Sequence, residues 1–312
     1  LKQIATELRR AIKKMTVLVT GGSGFLGKRL KLIRPNWIYV SSKDYDLTDA
    51  KACREMFDTI KPDAVIHLAG RVGGIKENTT KQADFYYQNT MINTNVLHEA
   101  YKFGAKRVLS ALSTCSFPNV VARYPFTESD ILSGPPASSN LSYGFTKRGL
   151  FVQSNSYRNQ YGLNYSCFCP SNIYGPGDNF DNDSSHFVPA LIKKVSSATD
   201  GDEIEFWGTG QPLRQQMYVD DLAKIIPILL EKHNSDIPLI VAPKENLSVK
   251  SMVDVGLSVS EKKVSPKFNG KYRGQYRKDG CNKELLKLIG DFQFTTFEQG
   301  IKKTYEWHEQ NH

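Results

Sequence analysis

The sequence predicts an α/β protein: a Rossmann-type parallel sheet with helices on both faces, and a smaller C-terminal α/β substrate domain. Three observations carry this. Strand and helix signals alternate from Met15 to Leu112, a glycine turn joins the first strand to the first helix, and turn-rich sequence replaces that rhythm in the second half. Strands alternating with helices build parallel sheets buried on both faces.

Taken in order, Thr16-Val17-Leu18-Val19-Thr20 is a short apolar run that reads as a buried strand, and Phe25 to about Leu32 reads as a helix. Trp37 to Val40 is a second strand, Asp49 to Ile60 a helix, and Ala64 to Ala69 a third strand. A long helix follows from about Asp84 to Phe103, then a strand at Arg107 to Leu112. Gly134-Pro135-Pro136 and Gly175-Pro176-Gly177-Asp178 mark turns, and from Ser185 short strands and helices mix. The expected division is a nucleotide-binding domain over 15–173 with a returning segment at about 215–243, and a smaller domain over 174–312. A small domain there would close over the carboxyl edge of the sheet, where open parallel sheets bind ligands.

Composition narrows the function classes. With 312 residues, 40% hydrophobic and 23% charged, the chain lies in the ordinary globular range. Its apolar runs fall well short of the roughly 20 residues that span a bilayer, so no membrane partner is expected. The 41 basic residues exceed the 32 acidic ones to give +9. Nearly half of that excess lies in residues 1–14, where Lys2, Arg9, Arg10, Lys13 and Lys14 face Glu7 alone. That amphipathic segment is expected to be a leader or an appended extension; its scarcity of Ser argues against a mitochondrial presequence. The rest of the excess suits polyphosphate ligands. Nucleic-acid binding would call for basic residues interleaved with aromatics, and no such tract appears. Five cysteines form an odd set without a CxxC spacing, which reads as reduced thiols in a cytoplasmic protein with no metal site.

Chemistry enters at the glycine turn. Gly21, Gly24 and Gly27 follow a buried strand and open a helix, so the backbone can approach a pyrophosphate and present helix N–H groups to it. The second strand runs into Ser41-Ser42-Lys43, where an NAD-binding acid would otherwise stand, so NADP is favoured; Asp44 and Asp46 lie close enough to keep NAD open. Tyr143 and Lys147 sit four apart on one helix face, and a lysine ammonium beside a phenol is expected to lower its pKa. Ser113 and Cys115 end the fourth strand, where extended chain would aim both side chains into one cleft. Cys167 and Cys169 read as core.

Further segments accompany these in order: Val72-Gly73-Gly74-Ile75, Ser113-Thr114-Cys115 with Phe117-Pro118, Asn172-Ile173-Tyr174-Gly175-Pro176, Ser185-His186, and Trp207-Gly208-Thr209-Gly210 with Arg214. From Met15 to about Asp221 the chain resembles the extended short-chain dehydrogenase/reductases and, among them, the GDP-L-fucose synthases. The resemblance implies a GDP-sugar substrate, GDP-4-keto-6-deoxy-D-mannose, epimerised at C3 and C5 and then reduced at C4 with NADPH. It implies Cys115 as base and His186 as acid in the epimerisation. In the reduction, Tyr143 would be the proton donor, Ser113 would orient the ketone oxygen, and Lys147 would tune Tyr143 and hold the cofactor ribose. Phe25, Leu26, Ser42, Lys43, Asp46, Leu47, Ala69 and Asn89 join the three glycines as implied cofactor contacts. Asn172, His186, Lys194, Trp207, Arg214 and Lys271 are the implied substrate contacts. A homodimer pairing the Asp84–Phe103 helix with the one bearing Tyr143 is expected from the family.

The sequence also departs from the pattern. Gly177 stands where many members have His, and Lys271-Tyr272-Arg273-Gly274 replaces a Lys-x-Asp-Gly segment, which weakens the expectation for Lys271. The competing enzyme reading is a nucleotide-sugar 4-epimerase or dehydratase with tightly bound NAD, a class that needs no Cys/His pair. A cofactor-sensing regulator would lack the Tyr/Lys pair that is present here.

Overall fold

The apolar run after Met15 forms β1 (Val17–Thr20), buried throughout, and the glycine turn leads into α1 (Phe25–Ile33). This computed structural model describes residues 15–181, 184–271 and 275–312, so the expected leader and Tyr272 to Gly274 lie outside the described residues. β2 (Ile38–Val40) precedes α2 (Ala50–Ile60), which Asp49 caps by accepting the Lys51 N–H at 2.8 Å. β3 (Ala64–His67) stops two residues before its apolar pattern does, because the Ala69 N–H turns aside to Thr20 Oγ1 at 3.3 Å. A short α3 (Ile75–Thr80), not expected from the sequence, precedes the long α4 (Gln82–Lys102). β4 (Arg107–Ala111) and α5 (Leu141–Tyr161) come next; α5 ends at Gly162, whose φ of +67° is the left-handed turn a side chain resists. β5 (Asn164–Pro170) completes the regular alternation.

Shorter elements follow: β6 (Asn172–Tyr174), α6 (Phe187–Ser197), β7 (Glu203–Phe206), β8 (Leu213–Arg214) and β9 (Gln216–Tyr218). Then come α7 (Val219–Lys232), β10 (Leu239–Val241), β11 (Leu247–Ser248), α8 (Val249–Ser260) and β12 (Ser265–Phe268). β13 (Arg277–Lys278), α9 (Lys283–Ile289) and α10 (Phe297–Asn311) end the chain.

The main sheet runs β2-β1-β3-β4-β5-β10 with every pair parallel. Alternation along the strands separates two cores. Leu18, Val65, Val108, Cys167 and Cys169 face α2, α4 and α5, whereas Val17, Val19, Ile66, Leu109 and Phe168 face α1 and α7. Each such side chain taken fully out of water is worth about 1.5–3 kcal/mol. Arg29 on α1 clamps Asp220 on α7 through two bonds of 2.5 and 2.6 Å, holding the second helix layer together. A third core, with Tyr174, Val188, Ile192, Phe206, Met252 and Ile301, belongs to α6, α8, α10 and the short strands.

Two crossings connect these bodies. β10 returns to the main sheet beside β5, and β6 pairs β9 in parallel. The chain also returns a second time, beyond the expected 215–243 segment: Leu285 of α9 lies in the core under α7. Because β1 sits between β2 and β3, successive connections leave it in opposite directions and open a crevice at the carboxyl ends of β1 and β3.

Candidate active site

At that crevice the glycine turn fits a pyrophosphate-binding backbone. Gly21 has φ +74°, and a Cβ there would sit 2.8 Å from the Ala69 nitrogen; at Gly27 it would strike the Gly21 carbonyl oxygen. Gly24 begins α1 with no side-chain cap, which leaves the first helical N–H groups, those of Phe25 and Leu26 among them, for an anion. At the end of β2 both nearby acids are occupied. Asp44 accepts from the Ser41 N–H (2.8 Å) and hydroxyl (2.7 Å), bonds that hold its carboxyl below the usual range. Asp46 accepts from Thr48 in the same way and is lowered for the same reason. Ser42 and Lys43 are exposed beside them, an arrangement that suits a 2′-phosphate better than a ribose hydroxyl pair.

Two expected cofactor contacts have side chains already engaged by the protein. The Leu47 side chain is buried in the core, and its carbonyl accepts from Asn95 at 3.0 Å. Asn89 is fully buried with its amide spent on the backbone: Nδ2 donates to the Phe85 and Arg71 carbonyls (2.9 and 3.1 Å), and Oδ1 accepts the Arg71 N–H at 2.9 Å. These bonds shape the loop after Ala69.

The candidate catalytic side chains come from three places. Tyr143 and Lys147 lie on the buried face of α5, 8% and 3% exposed. Ser113 and Cys115 follow β4, but the extended geometry expected for them is wrong: Thr114–Ser116 is a single 3₁₀ turn, and Ser113 Oγ caps it by accepting the Cys115 N–H at 3.2 Å. A local hydrogen bond therefore outcompetes the strand. His186 precedes α6, brought in by a loop whose Ser184 carbonyl oxygen would lie 3.5 Å from a Cβ on Gly74.

The expected lowering of Tyr143 by Lys147 is also corrected. Burial, then the neighbouring Cys115, drives the Tyr143 phenol above its ordinary range, and the Ser113 hydroxyl offsets this only in part. The Lys147 ammonium donates to the Ala111 carbonyl at 2.9 Å, 5.9 Å from the centre of the Tyr143 ring, and burial pushes it down to about 8. Tyr143 is thus a protonated phenol, poised to give a proton.

Cys115 behaves oppositely to the core cysteines. Burial drives Cys167 up to about 12. At Cys115 burial also pushes up, but the Lys278 charge and hydrogen bonds from Ser113, Lys278 and Asn140 outweigh it, and the thiol falls below its ordinary value. Lys278 Nζ lies 3.2 Å from Cys115 Sγ. The surrounding protein and the same lysine lower His186 from its ordinary value, while the residue stays open to solvent at the cleft mouth.

Sequence reasoning missed Lys278 and Asn140. Lys278 lies where the resemblance had become diffuse, and its only local signal was the Asp279-Gly280 turn after it. β13 places it: pairing with β8 turns Arg277 to Asp279 (2.5 Å) and frees its neighbour for the cleft.

The implied substrate residues are scattered around this centre. Asn172 is exposed at the start of β6, and Trp207, 67% exposed, follows β7. Lys194 donates to the Glu205 carbonyl at 2.6 Å. Arg214 donates to the Leu213 and Gln275 carbonyls (2.7 and 2.6 Å), so its fork orders the segment leading to Lys278 while other N–H groups of the guanidinium are left for a substrate. Lys271 is exposed, with its backbone N–H on Asn269.

The sequence profile of the NAD dependent epimerase/dehydratase family matches residues 17–241. A GDP-L-fucose synthase from Dictyostelium discoideum is 38% identical over 94% of this chain and 95% of its own. The chain belongs to the GDP-L-fucose synthase family. Another member, from Escherichia coli K12, is 29% identical over 96% of this chain and 98% of its own. A crystal structure of a GDP-L-fucose synthetase from Naegleria fowleri bound to NADP superposes with a TM-score of 0.88 at 34% identity, covering 96% and 93% of the two chains. A UDP-glucose 4-epimerase from Thermotoga maritima, 20% identical with a TM-score of 0.84, shares the fold alone.

Proposed function

We propose that this chain converts GDP-4-keto-6-deoxy-D-mannose to GDP-L-fucose, by epimerisation at C3 and C5 followed by reduction at C4. The observation that carries this is two kinds of proton-transferring group in one cleft, the Lys278–Cys115 pair and the buried Tyr143/Lys147 pair. A ketone at C4 acidifies the hydrogens at C3 and C5, and inversion needs a base on one side and an acid on the other. Cys115, held toward thiolate by Lys278, removes the proton; His186 supplies one and is recharged from solvent at the exposed mouth of the cleft. Lowered from its ordinary value, the His186 imidazolium is a strong acid present as a minor form at neutral pH.

NADPH, when bound on the glycine turn, supplies the reducing equivalent at C4. The residues do the rest: Ser113 orients the ketone oxygen, Tyr143 donates the proton that makes it a hydroxyl, and Lys147 replaces the Tyr143 proton and binds the cofactor ribose. Incubation with GDP-4-keto-6-deoxy-D-mannose and NADPH tests the reading; loss of NADPH absorbance with appearance of GDP-L-fucose is expected. A tightly bound NAD and no consumption of NADPH would establish the 4-epimerase or dehydratase reading in its place.

The proposed division is a nucleotide domain over 15–173 with 215–243 and the α9 region returning to it, and a substrate domain from the remainder of 174–312. The protein acts as a cytoplasmic homodimer in this reading. Support comes from exposed Tyr86, Tyr87, Phe145 and Val152 on α4 and α5, an apolar face of the kind that pairs across a two-fold axis, and from five free cysteines. No helix among the described residues is long and apolar enough to cross a membrane. Tyr86→Arg is expected to convert a dimer to a monomer in light scattering; an unchanged mass would reject this face.

A further inference from the structure

The C-terminal rim of the main sheet carries polar side chains on a face that is otherwise apolar. Register sets Thr20, His67, Ser110 and Cys167 side by side on β1, β3, β4 and β5, on the face of Leu18, Val65 and Val108. Thr20 and His67 are fully buried, and Asn93 of α4 above them is 2% exposed. Burying such groups is costly unless they are bonded. Here Thr20, His67 and Asn93 are bonded into one continuous chain. The Ala69 N–H donates to Thr20 Oγ1 (3.3 Å), Thr20 Oγ1 lies 2.8 Å from His67 Nδ1, and His67 Nε2 lies 3.1 Å from Asn93 Oδ1. Asn93 Nδ2 then donates to the Thr146 carbonyl at 3.3 Å.

The chain has one consistent direction. Asn93 donates to a carbonyl and so accepts from His67 Nε2–H, which leaves Nδ1 to accept the Thr20 hydroxyl proton. Burial, and then the charge of Lys147, push His67 down to about 3, so the ring is neutral as this direction requires. The two ends matter most. Thr20 precedes Gly21 of the phosphate turn, and Thr146 precedes Lys147 and donates its hydroxyl to the Tyr143 carbonyl at 2.8 Å.

We infer that Thr20, His67 and Asn93 form a positioning chain that sets the Tyr143/Lys147 helix against the cofactor's glycine turn, and hence the C4 ketone against the cofactor. This rests on the reading of Tyr143 and Lys147 as the reductive pair. The Cys115 turn is packed tightly onto that helix: Gly144 lies so close that a Cβ there would sit 2.5 Å from the Cys115 carbonyl oxygen, and Arg148 Nε donates to the Ser116 carbonyl. Loosening the chain shifts α5 and the Cys115 turn together. Proton exchange within that unit survives, while reduction, which spans the unit and the cofactor, slows; a displacement of about 1 Å can cost about 10²-fold.

Asn93→Leu and Thr20→Val are close in shape to the native residues and cut the chain at different links. Each is assayed for NADPH oxidation at saturating keto sugar, for solvent-deuterium exchange at C3 and C5 without NADPH, and for NADPH affinity by fluorescence. Asn93→Leu is expected to slow reduction roughly 10- to 100-fold and Thr20→Val roughly 3- to 10-fold, with exchange within about 2-fold of wild type in both. Exchange and reduction falling in parallel, or reduction unchanged in both variants, would overturn the inference. A wild-type enzyme that neither exchanges nor reduces this sugar would instead overturn the assignment of the reaction.

Discussion

Replacing Lys278 by Met removes the ammonium that lies 3.2 Å from Cys115 Sγ while keeping much of the stem's volume. Burial then acts on Cys115 with only the Ser113 and Asn140 hydrogen bonds against it, and the thiol moves toward the behaviour of Cys167, which burial pushes up to about 12. A hydrogen bond to a charged group nets about 1.5–3 kcal/mol. At 1.36 kcal/mol per decade that is roughly a 10- to 150-fold loss of thiolate near neutral pH, and of the exchange that depends on it. The assay is deuterium incorporation at C3 and C5 as a function of pH, beside a titration of thiolate absorbance in the absence of sugar. The exchange profile of the variant should shift to higher pH and recover at alkaline pH. An unchanged thiol titration in Lys278→Met would refute the reasoning, because a lysine that only binds substrate leaves that titration where it was.

Tyr143→Phe should spare deuterium exchange within a few-fold and lower NADPH oxidation by about 10²- to 10⁴-fold, the usual range for one general acid; normal turnover would remove Tyr143 from the mechanism. Gly27→Ala would press a Cβ against the Gly21 carbonyl and within 2.8 Å of Gly22 Cα, so NADPH affinity is expected to fall at least tenfold by fluorescence titration, and wild-type affinity would show that the turn can yield. His67, down to about 3 in the folded protein against roughly 6.5 unfolded, makes the unfolded chain bind the extra proton between those values. Its stabilisation is therefore complete above about pH 6.5 and is lost as pH falls toward 3. In thermal unfolding from pH 7 to 5, wild type should lose more of its midpoint than His67→Gln, and parallel slopes would contradict this.

The elements that repeat along the chain were legible because their signals are local. Period and turn chemistry place β1, β2, α2, α4 and β4 to within about two residues, and the Gly21, Gly24, Gly27 turn needs only its own strand and helix as context. Cys167 and Cys169 sit in the core as their alternation implies. The errors have specific causes. Ser113 prefers its own turn to the strand, and burial overrides Lys147 in setting Tyr143.

By itself, then, the sequence determined the parallel nucleotide fold and the cofactor turn, whose signals are local, and its family resemblance pointed to Ser113, Cys115, Tyr143, Lys147 and His186 as the candidate chemical set. Only the tertiary structure decided what protonation states those groups hold. Those states depend on burial and on charges that arrive from far along the chain: Lys278 lies 163 residues from the cysteine it pairs with, and His67 reaches α5 through Asn93. A pKa is set by what surrounds a group in space, and here those surroundings are assembled by the β8–β13 pairing and by the register of β1 on β3.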